Sequence, residues 1–287
     1  MYLYQNCYFK YENNYYYATA TGALAVNRYV KIGGSNKYFG ANGALATGII
    51  NVNGEKYYFK NGVASKNIVV KSGTNVMYFD NDGRFAAKFK GLITIGKYHY
   101  YIENGYAKCD EFKKIAGKYL FYFDVNGKHD PSISGYKTIG GYEYYFEKGC
   151  VYYNQVKVVV TNNVKYLMYF GDDGKFNPKA SGVVKTYSND KYYLYKGYAY
   201  YNKVLEVDNK LRYFGLNGKM ENKSGYVKAS NGQYYLNKGV AYTNKIVKVG
   251  SNKFYCGADG KFVKNKTFKV GNVTYKAAAN GVIKVKK

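Results

Sequence analysis

The sequence predicts an all-β fold, an elongated β-solenoid of about 12–13 stacked β-hairpin repeats, and three observations carry that prediction. A phrase made of an aromatic strand and a Gly turn recurs along the chain, as Tyr57-Tyr58-Phe59-Lys60-Asn61-Gly62, Tyr78-Phe79-Asp80-Asn81-Asp82-Gly83, Tyr100-Tyr101-Ile102-Glu103-Asn104-Gly105 and Tyr122-Phe123-Asp124-Val125-Asn126-Gly127. The composition suits many short aromatic strands punctuated by turns: 40 Tyr, 16 Phe and 33 Gly stand against 2 Pro and no Trp in 287 residues. No composition break, Pro-rich linker or low-complexity tract interrupts the repetition, so residues 1–287 read as one repeat array. A unit this short cannot bury its apolar face alone and is stabilised by stacking on its neighbours.

Two kinds of unit alternate. One ends at Gly62, Gly105, Gly149, Gly197, Gly239 and Gly281, the other at Gly43, Gly83, Gly127, Gly174, Gly218 and Gly260, mostly 19 to 25 residues apart. Within a unit a short strand runs into Asn-Gly, Asp-Gly or Lys-Gly, and a second strand follows, as at Val63-Ala64 or Lys175-Phe176. Asn-Gly and Asp-Gly accept the positive φ of two-residue turns, so each unit reads as a hairpin. The remainder of the unit, Gly48-Ile49-Ile50-Asn51-Val52 or Gly135-Tyr136-Lys137-Thr138-Ile139, reads as a strand connecting one hairpin to the next. Asn14 to Gly43 is half as long again as its neighbours and reads as one distinct long unit. Alternate residues of Glu55-Lys56-Tyr57-Tyr58-Phe59 face opposite sides, which sends one Tyr of each pair to the core and the other outward.

A net charge of +26 predicts attraction to polyanions, whether nucleic acid, anionic lipid or acidic surface polysaccharide. An AT-rich gene enriched in Lys, Asn, Tyr and Ile codons accounts for the same excess with no partner, and edge-strand Lys discourages aggregation. No apolar run approaches the roughly 18 residues of a membrane span. Met1-Tyr2-Leu3-Tyr4 lacks the basic-then-apolar layout of a signal peptide, so the chain is expected to be a fragment of a larger protein. Cys7, Cys109, Cys150 and Cys256 sit at different offsets in their repeats and form no C-x-x-C pair, so metal and redox readings fail on spacing. A Cys109–Cys150 disulfide is open, with buried free thiols preferred.

Catalysis finds little support. His99 and His129 lie in different units, no G-x-S-x-G or Walker phrase occurs, and the 18 carboxylates are scattered mainly through turns. Asp80-Asn81-Asp82-Gly83 invites a calcium reading, yet counting from Asp80 puts Phe85 where an EF-hand needs Gly and Gly91 where it needs a bidentate Glu. The expectation is a non-enzyme with no cofactor and no metal. Single-stranded nucleic acid would suit charge plus aromatics, but Lys far outnumbers Arg and the repeat already explains the rings, so nucleic acid is not favoured.

Tyr-Tyr-Phe-x-x-x-Gly alternating with Gly-x-x-Thr-Ile-x-Gly, and the phrase Gly91-Leu92-Ile93-Thr94-Ile95-Gly96-Lys97-Tyr98-His99-Tyr100-Tyr101, resembles the cell-wall-binding repeat superfamily of Gram-positive bacteria. That superfamily comprises choline-binding modules, glucan-binding repeats of glucosyltransferases and the combined repetitive oligopeptides of large clostridial toxins. The resemblance covers residues 8 to 287. It implies a β-solenoid of stacked hairpins, each rotated from the last, that binds carbohydrate at hairpin junctions, and Asn14 to Gly43 resembles the occasional long repeat of the toxin arrays. Choline-binding members build an aromatic cage from a Trp after Gly and a second Trp before Tyr-Tyr. Here the first position holds Ile49, Leu92, Tyr136, Val183 and Tyr226, and the second Lys56, His99, Glu143, Lys191 and Gln233. A quaternary ammonium needs a ring of π-faces, so phosphocholine recognition is not expected.

Carbohydrate binding is expected at Tyr136 and Tyr226, the Gly-x tyrosines, and at Tyr57, Tyr100, Tyr144, Tyr192 and Tyr234, because tyrosine offers a flat apolar face and a hydroxyl. Core packing is the competing reading for each. Arg84, Lys128, Lys175, Lys219 and Lys261 each follow a turn glycine of the second kind, a regular series able to follow a polyphosphate or polyuronate or simply to be solvated. Repetition of weak sites raises avidity by roughly 10²- to 10⁴-fold. The functional expectation is a non-catalytic targeting module of a secreted Gram-positive protein, at the cell surface or wall, held on glycopolymer. The alternatives are a structural stalk or adhesin segment, or a host-glycan receptor module of a toxin. An end unit with an open edge also leaves homodimerisation open.

Overall fold

The computed structural model describes residues 4–116 and 119–286; Met1-Tyr2-Leu3, within the stretch weighed for a leader, lie outside them. Among the described residues there is no helix, and so none long and apolar enough to cross a membrane. The chain divides into two compact units, Met1–Ile133 with Lys148–Cys150, and Ser134–Glu147 with Val151–Lys287. The first contains six long antiparallel hairpins among its described residues, from Cys7–Tyr11 with Asn14–Ala18 to Glu111–Ile115 with Tyr119–Phe123. The second contains seven, from Gly135–Ile139 with Tyr142–Glu147 to Lys266–Val270 with Val273–Ala277. The all-β hairpin repeat expected from the sequence is the fold.

The strand read as a connector is instead the main partner of the aromatic strand. Gly48–Val52 pairs along its whole length with Glu55–Lys60, Ile49 opposite Tyr58 and Ile50 opposite Tyr57. Asn53 and Gly54, at φ 51° and 86°, close that pair in a mirror-image turn. Past Asn61-Gly62 the third strand is only Val63–Ala64, and Lys175-Phe176 provides a single bridge, Phe170 to Phe176.

The two kinds of turn differ in geometry. In Asn61-Gly62, Asn104-Gly105, Lys196-Gly197 and Lys238-Gly239 both residues have positive φ, the two-residue turn expected. These turns dock tightly: a Cβ on Gly197 would lie 2.5 Å from the Asn177 carbonyl oxygen. The other kind is a three-residue loop. Asp80 N–H donates to Arg84 O (2.9 Å), Gly83 N–H donates to Asp80 O (3.0 Å), and Asp80 Oδ1 accepts from the N–H of Asp82 and Arg84 at 2.9 and 3.0 Å. Gly281 belongs with this second kind, since Ala278 N–H donates to Val282 O and Gly281 N–H to Ala278 O, both at 3.0 Å. Gly22 does too, through Thr19 N–H to Ala23 O (2.8 Å) and Gly22 N–H to Thr19 O (2.9 Å). Asn14 to Gly43 is therefore two ordinary units.

Each hairpin sinks the residue at one equivalent position to at most 2% exposure. These residues are Ala18, Phe39, Phe59, Phe79, Ile102 and Phe123 in the first unit, and Phe146, Phe170, Leu194, Phe214, Leu236, Cys256 and Ala277 in the second. The aromatic residue just before the sunken one reaches the sunken residue of the next hairpin. Ring centroids are 6.3 Å apart for Tyr17–Phe39, 5.3 Å for Tyr38–Phe59, 6.1 Å for Tyr58–Phe79, 6.2 Å for Tyr145–Phe170 and 6.0 Å for Tyr193–Phe214. Full burial of each Phe contributes about 1.5–3 kcal/mol, and only a neighbouring hairpin can complete it. No disulfide links the cysteines among the described residues; Cys256 is buried and the other three are half-buried.

Candidate functional site

Strand alternation sorts the tyrosine candidates. The first Tyr of each pair lies two residues before the sunken residue and shares its face. Tyr100, Tyr144, Tyr192 and Tyr234 are accordingly only 2–5% exposed and are core, not sugar platforms, which corrects the expectation for those four. Burial pushes the phenols of Tyr192 and Tyr234 up to about 12. Tyr57 is half-buried beside Tyr38 and Phe59, and its hydroxyl accepts from Arg84 Nε at 3.2 Å. Tyr136 is half-buried and Tyr226 is 38% exposed.

The accessible candidates gather where a three-residue turn lays the next segment against an aromatic strand. Phe85 N–H donates to Lys56 O (2.8 Å), Phe176 N–H to Glu143 O (2.8 Å), Met220 N–H to Lys191 O (2.8 Å) and Phe262 N–H to Gln233 O (2.9 Å). His129 and His99 exchange both backbone bonds, at 2.8 and 3.1 Å. Each junction thus sets an apolar or aromatic side chain beside a different polar residue. In the first unit Phe85 lies 5.1 Å from Tyr106, with Lys56 Nζ 5.8 Å from the Phe85 centroid. His129 stacks on Phe121 at 4.1 Å and 3°, and burial lowers its pKa.

In the second unit the Glu143 junction is the most developed. Phe176 and Tyr198 rings are 5.1 Å apart, and Tyr136 and Phe176 pack on one core cluster of Val159, Met168 and Phe170. Burial, then the hydrogen bond to the Glu143 carboxylate, raises the Tyr136 phenol well above its ordinary value; burial, then the Glu143 charge, raises Tyr198. A cavity of about 550 Å³ opens beside this junction, lined by Thr138, Tyr142, Glu143, Asp173, Lys175 and Phe176 among others. Tyr142 is 54% exposed there, with Lys175 Nζ 3.8 Å from its ring centroid. At the Gln233 junction Tyr226 lies 5.8 Å from Phe262 and accepts from Gln233 Nε2 at 2.8 Å.

The post-turn cations occupy equivalent places but are not a free row. Arg84 is engaged by Tyr57, and Lys128 Nζ sits 4.9 Å from the Tyr98 centroid. Lys175, Lys219 and Lys261 each have a carboxylate partner, Asp173 at 3.5 Å, Asp190 at 2.8 Å and Asp259 at 3.6 Å. Sequence reasoning missed Phe85, Phe176 and Phe262, which follow the basic residue, and Tyr106 and Tyr198, which follow the turn glycine of the first kind. Their regular offset from the turn glycines is the signal that finds them. The cage positions compared in the sequence all lie within one hairpin, so rings supplied by the next two segments went uncounted.

No family model matches the chain, and no curated protein matches it. Among solved structures the chain is similar to CbpJ from Streptococcus pneumoniae TIGR4, at 20% identity over 96% of this chain and 99% of that one, with a TM-score of 0.34. It is similar to choline binding protein F from Streptococcus pneumoniae in the presence of a peptidoglycan analogue, at 21% identity over 96% and 97%, TM-score 0.36. It is similar to the modular autolysin LytC from Streptococcus pneumoniae, at 17% identity over 89% and 52%, TM-score 0.35.

Proposed function

We propose that the chain is a non-catalytic binding module that holds a larger secreted bacterial protein on surface glycopolymer through many weak junction sites. The observation that carries the reading is the Glu143 junction: an exposed Tyr142 ring, a carboxylate, an ammonium and the Phe176 ring around one cavity. A sugar presents hydroxyls to the charged groups and its apolar C–H face to the rings. Each site is shallow, and the avidity of several on one polymer, roughly 10²- to 10⁴-fold, makes up the affinity. The test is retention on purified Gram-positive cell walls, before and after chemical removal of their anionic secondary polymers. The protein is retained, and Y142A and Y226A variants with unchanged melting temperatures are retained less. No retention on either wall rejects the reading in favour of a stalk or a host-glycan receptor.

A second reading is favoured by one arrangement. Tyr136, Phe176 and Tyr198 bring three rings to the Glu143 carboxylate, the composition of an organic-cation site. Elution of wall-bound protein by choline or tetramethylammonium, abolished in E143Q, supports it; elution unchanged in E143Q removes it.

A further inference from the structure

We propose that Lys157, Lys203 and Lys245 form a row of anion-binding sites for an acidic sugar polymer, separate from the hairpin junctions. The three belong to the second unit, and each caps a tyrosine pair built in the same way. Tyr152, Tyr200 and Tyr242 donate backbone N–H to the carbonyls of Tyr145, Tyr193 and Tyr235, all at 2.9 Å. Within each pair the ring centroids are 5.7, 6.0 and 6.0 Å apart. The ammonium groups of Lys157, Lys203 and Lys245 then sit 3.4, 4.5 and 4.1 Å from the centroids of Tyr152, Tyr200 and Tyr242.

Charge balance separates this row from the post-turn row. In the same unit Lys175, Lys219 and Lys261 each have an aspartate partner, whereas Lys157, Lys203 and Lys245 have no ion pair among the described residues. A ring quadrupole orients an ammonium without neutralising it, so each of the three keeps a full charge held in place by aromatic packing. Lys157 is half-buried, and burial lowers its pKa against the pull of the Glu147 charge, so an anion there replaces lost water. In the first unit the positions of Tyr152, Tyr200 and Tyr242 are taken by Ser65 and Lys108, which make the same backbone bonds to Tyr58 and Tyr101. In the first unit Lys113 Nζ lies 4.8 Å from the centroid of Tyr101 but with Lys108 in place of the second tyrosine, so the row capping tyrosine pairs is a property of the second unit.

The ammonium covers a ring face that a nucleobase would need for stacking, so the site reads a point charge rather than a flat ring. Discrete carboxylates or phosphodiesters along a sugar polymer supply such charges. The junction sites use other residues, and the two proposals succeed or fail separately.

The test compares two triple variants that remove the same charge, K157M/K203M/K245M and, at exposed lysines of the second unit outside both the row and the junctions, K210M/K248M/K269M, on immobilised polygalacturonate, poly(glycerol phosphate) and poly-dT at low and raised salt. The first triple loses about tenfold in affinity for one or both sugar polymers with a shallower salt dependence, and the second loses much less. Preference between the two sugar polymers assigns carboxylate or phosphodiester. Equal losses in both triples, no loss in the first, or poly-dT bound as tightly as the sugar polymers overturns the proposal. K157R/K203R/K245R keeps the charge and retains binding, which guards against a packing defect in the methionine variant.

Discussion

The Tyr213 hydroxyl donates to Asn202 Oδ1 at 3.3 Å, joining the residue that opens a hairpin to the one before its sunken Phe214. Asn202 holds φ 48°, and its N–H donates to Gly215 O at 2.9 Å. Asn67 with Tyr78 and Asn154 with Tyr169 repeat the bond at 3.3 and 3.2 Å, and Asp110 with Tyr122 makes it at 2.8 Å. Asparagine tolerates the left-handed region, and its amide oxygen satisfies a phenol whose ring is buried.

N202A loses both the hydrogen bond and a residue suited to positive φ, so it destabilises by about 1–2 kcal/mol. N202G restores the backbone freedom but not the bond, and Y213F loses the bond alone, so each costs less than N202A. Urea unfolding of the three variants checks the order; an N202A midpoint equal to that of the parent refutes it.

Tyr226 and Tyr234 separate binding from folding. Y234A removes a ring 2% exposed from the cluster of Val204, Tyr213, Val227 and Leu236 and costs about 3–5 kcal/mol. Y226A removes a ring 38% exposed and leaves melting nearly unchanged while lowering wall retention. Paired melting and retention measurements decide it, and a Y234A protein as stable as the parent contradicts the core assignment.

Cys256 stands where Phe79, Phe170 and Phe214 stand in their hairpins, fully buried, with burial raising its thiol to about 11. Iodoacetamide at mildly alkaline pH therefore labels the half-buried Cys7 in the folded protein and Cys256 only after denaturation. Mass spectrometry of the labelled peptides reads the result, and early labelling of Cys256 would count against its burial.

His129 is 2% exposed, and burial is the main cause of its lowered pKa, reinforced by the His99 charge and opposed by the Tyr122 carbonyl and Asp130. A folded-state pKa below the unfolded one means the unfolded chain binds the proton first. The contribution is intact above about pH 6.5 and is lost as pH falls through the folded value. Melting of the protein drops on acidification below pH 6.5, and H129F, which installs the residue found at 85, 176 and 262, flattens that drop. An H129F profile parallel to the parent's disproves the assignment.

Hairpin class and turn positions were legible because Asn-Gly, Asp-Gly and Lys-Gly mark positive φ directly. Gly22 escaped because Ala18 replaces the Phe of the phrase, although the Thr19 turn bonds are ordinary. Gly281 was assigned to the wrong kind because Asn280-Gly281 has the residues of a two-residue turn but the bonds of a three-residue loop. Period two correctly placed the two tyrosines of a pair on opposite faces, but it carries no information on which face is deeper. Tyr144 and Phe146 share the deep face, and Tyr145 covers Phe170 of the next hairpin. The aspartates that engage Lys175, Lys219 and Lys261 include one from another hairpin, Asp190, which no spacing rule within a unit could supply.

The lid over five of the sunken Phe residues has a direction. Tyr17, Tyr38 and Tyr58 precede Phe39, Phe59 and Phe79, and Tyr145 and Tyr193 precede Phe170 and Phe214. Along these stretches a growing polypeptide therefore meets a roof already in place when the next Phe emerges. Translocation or synthesis from the N-terminus can lay the repeats down one at a time, while loss of a hairpin from the N-terminal side would unroof the one that follows.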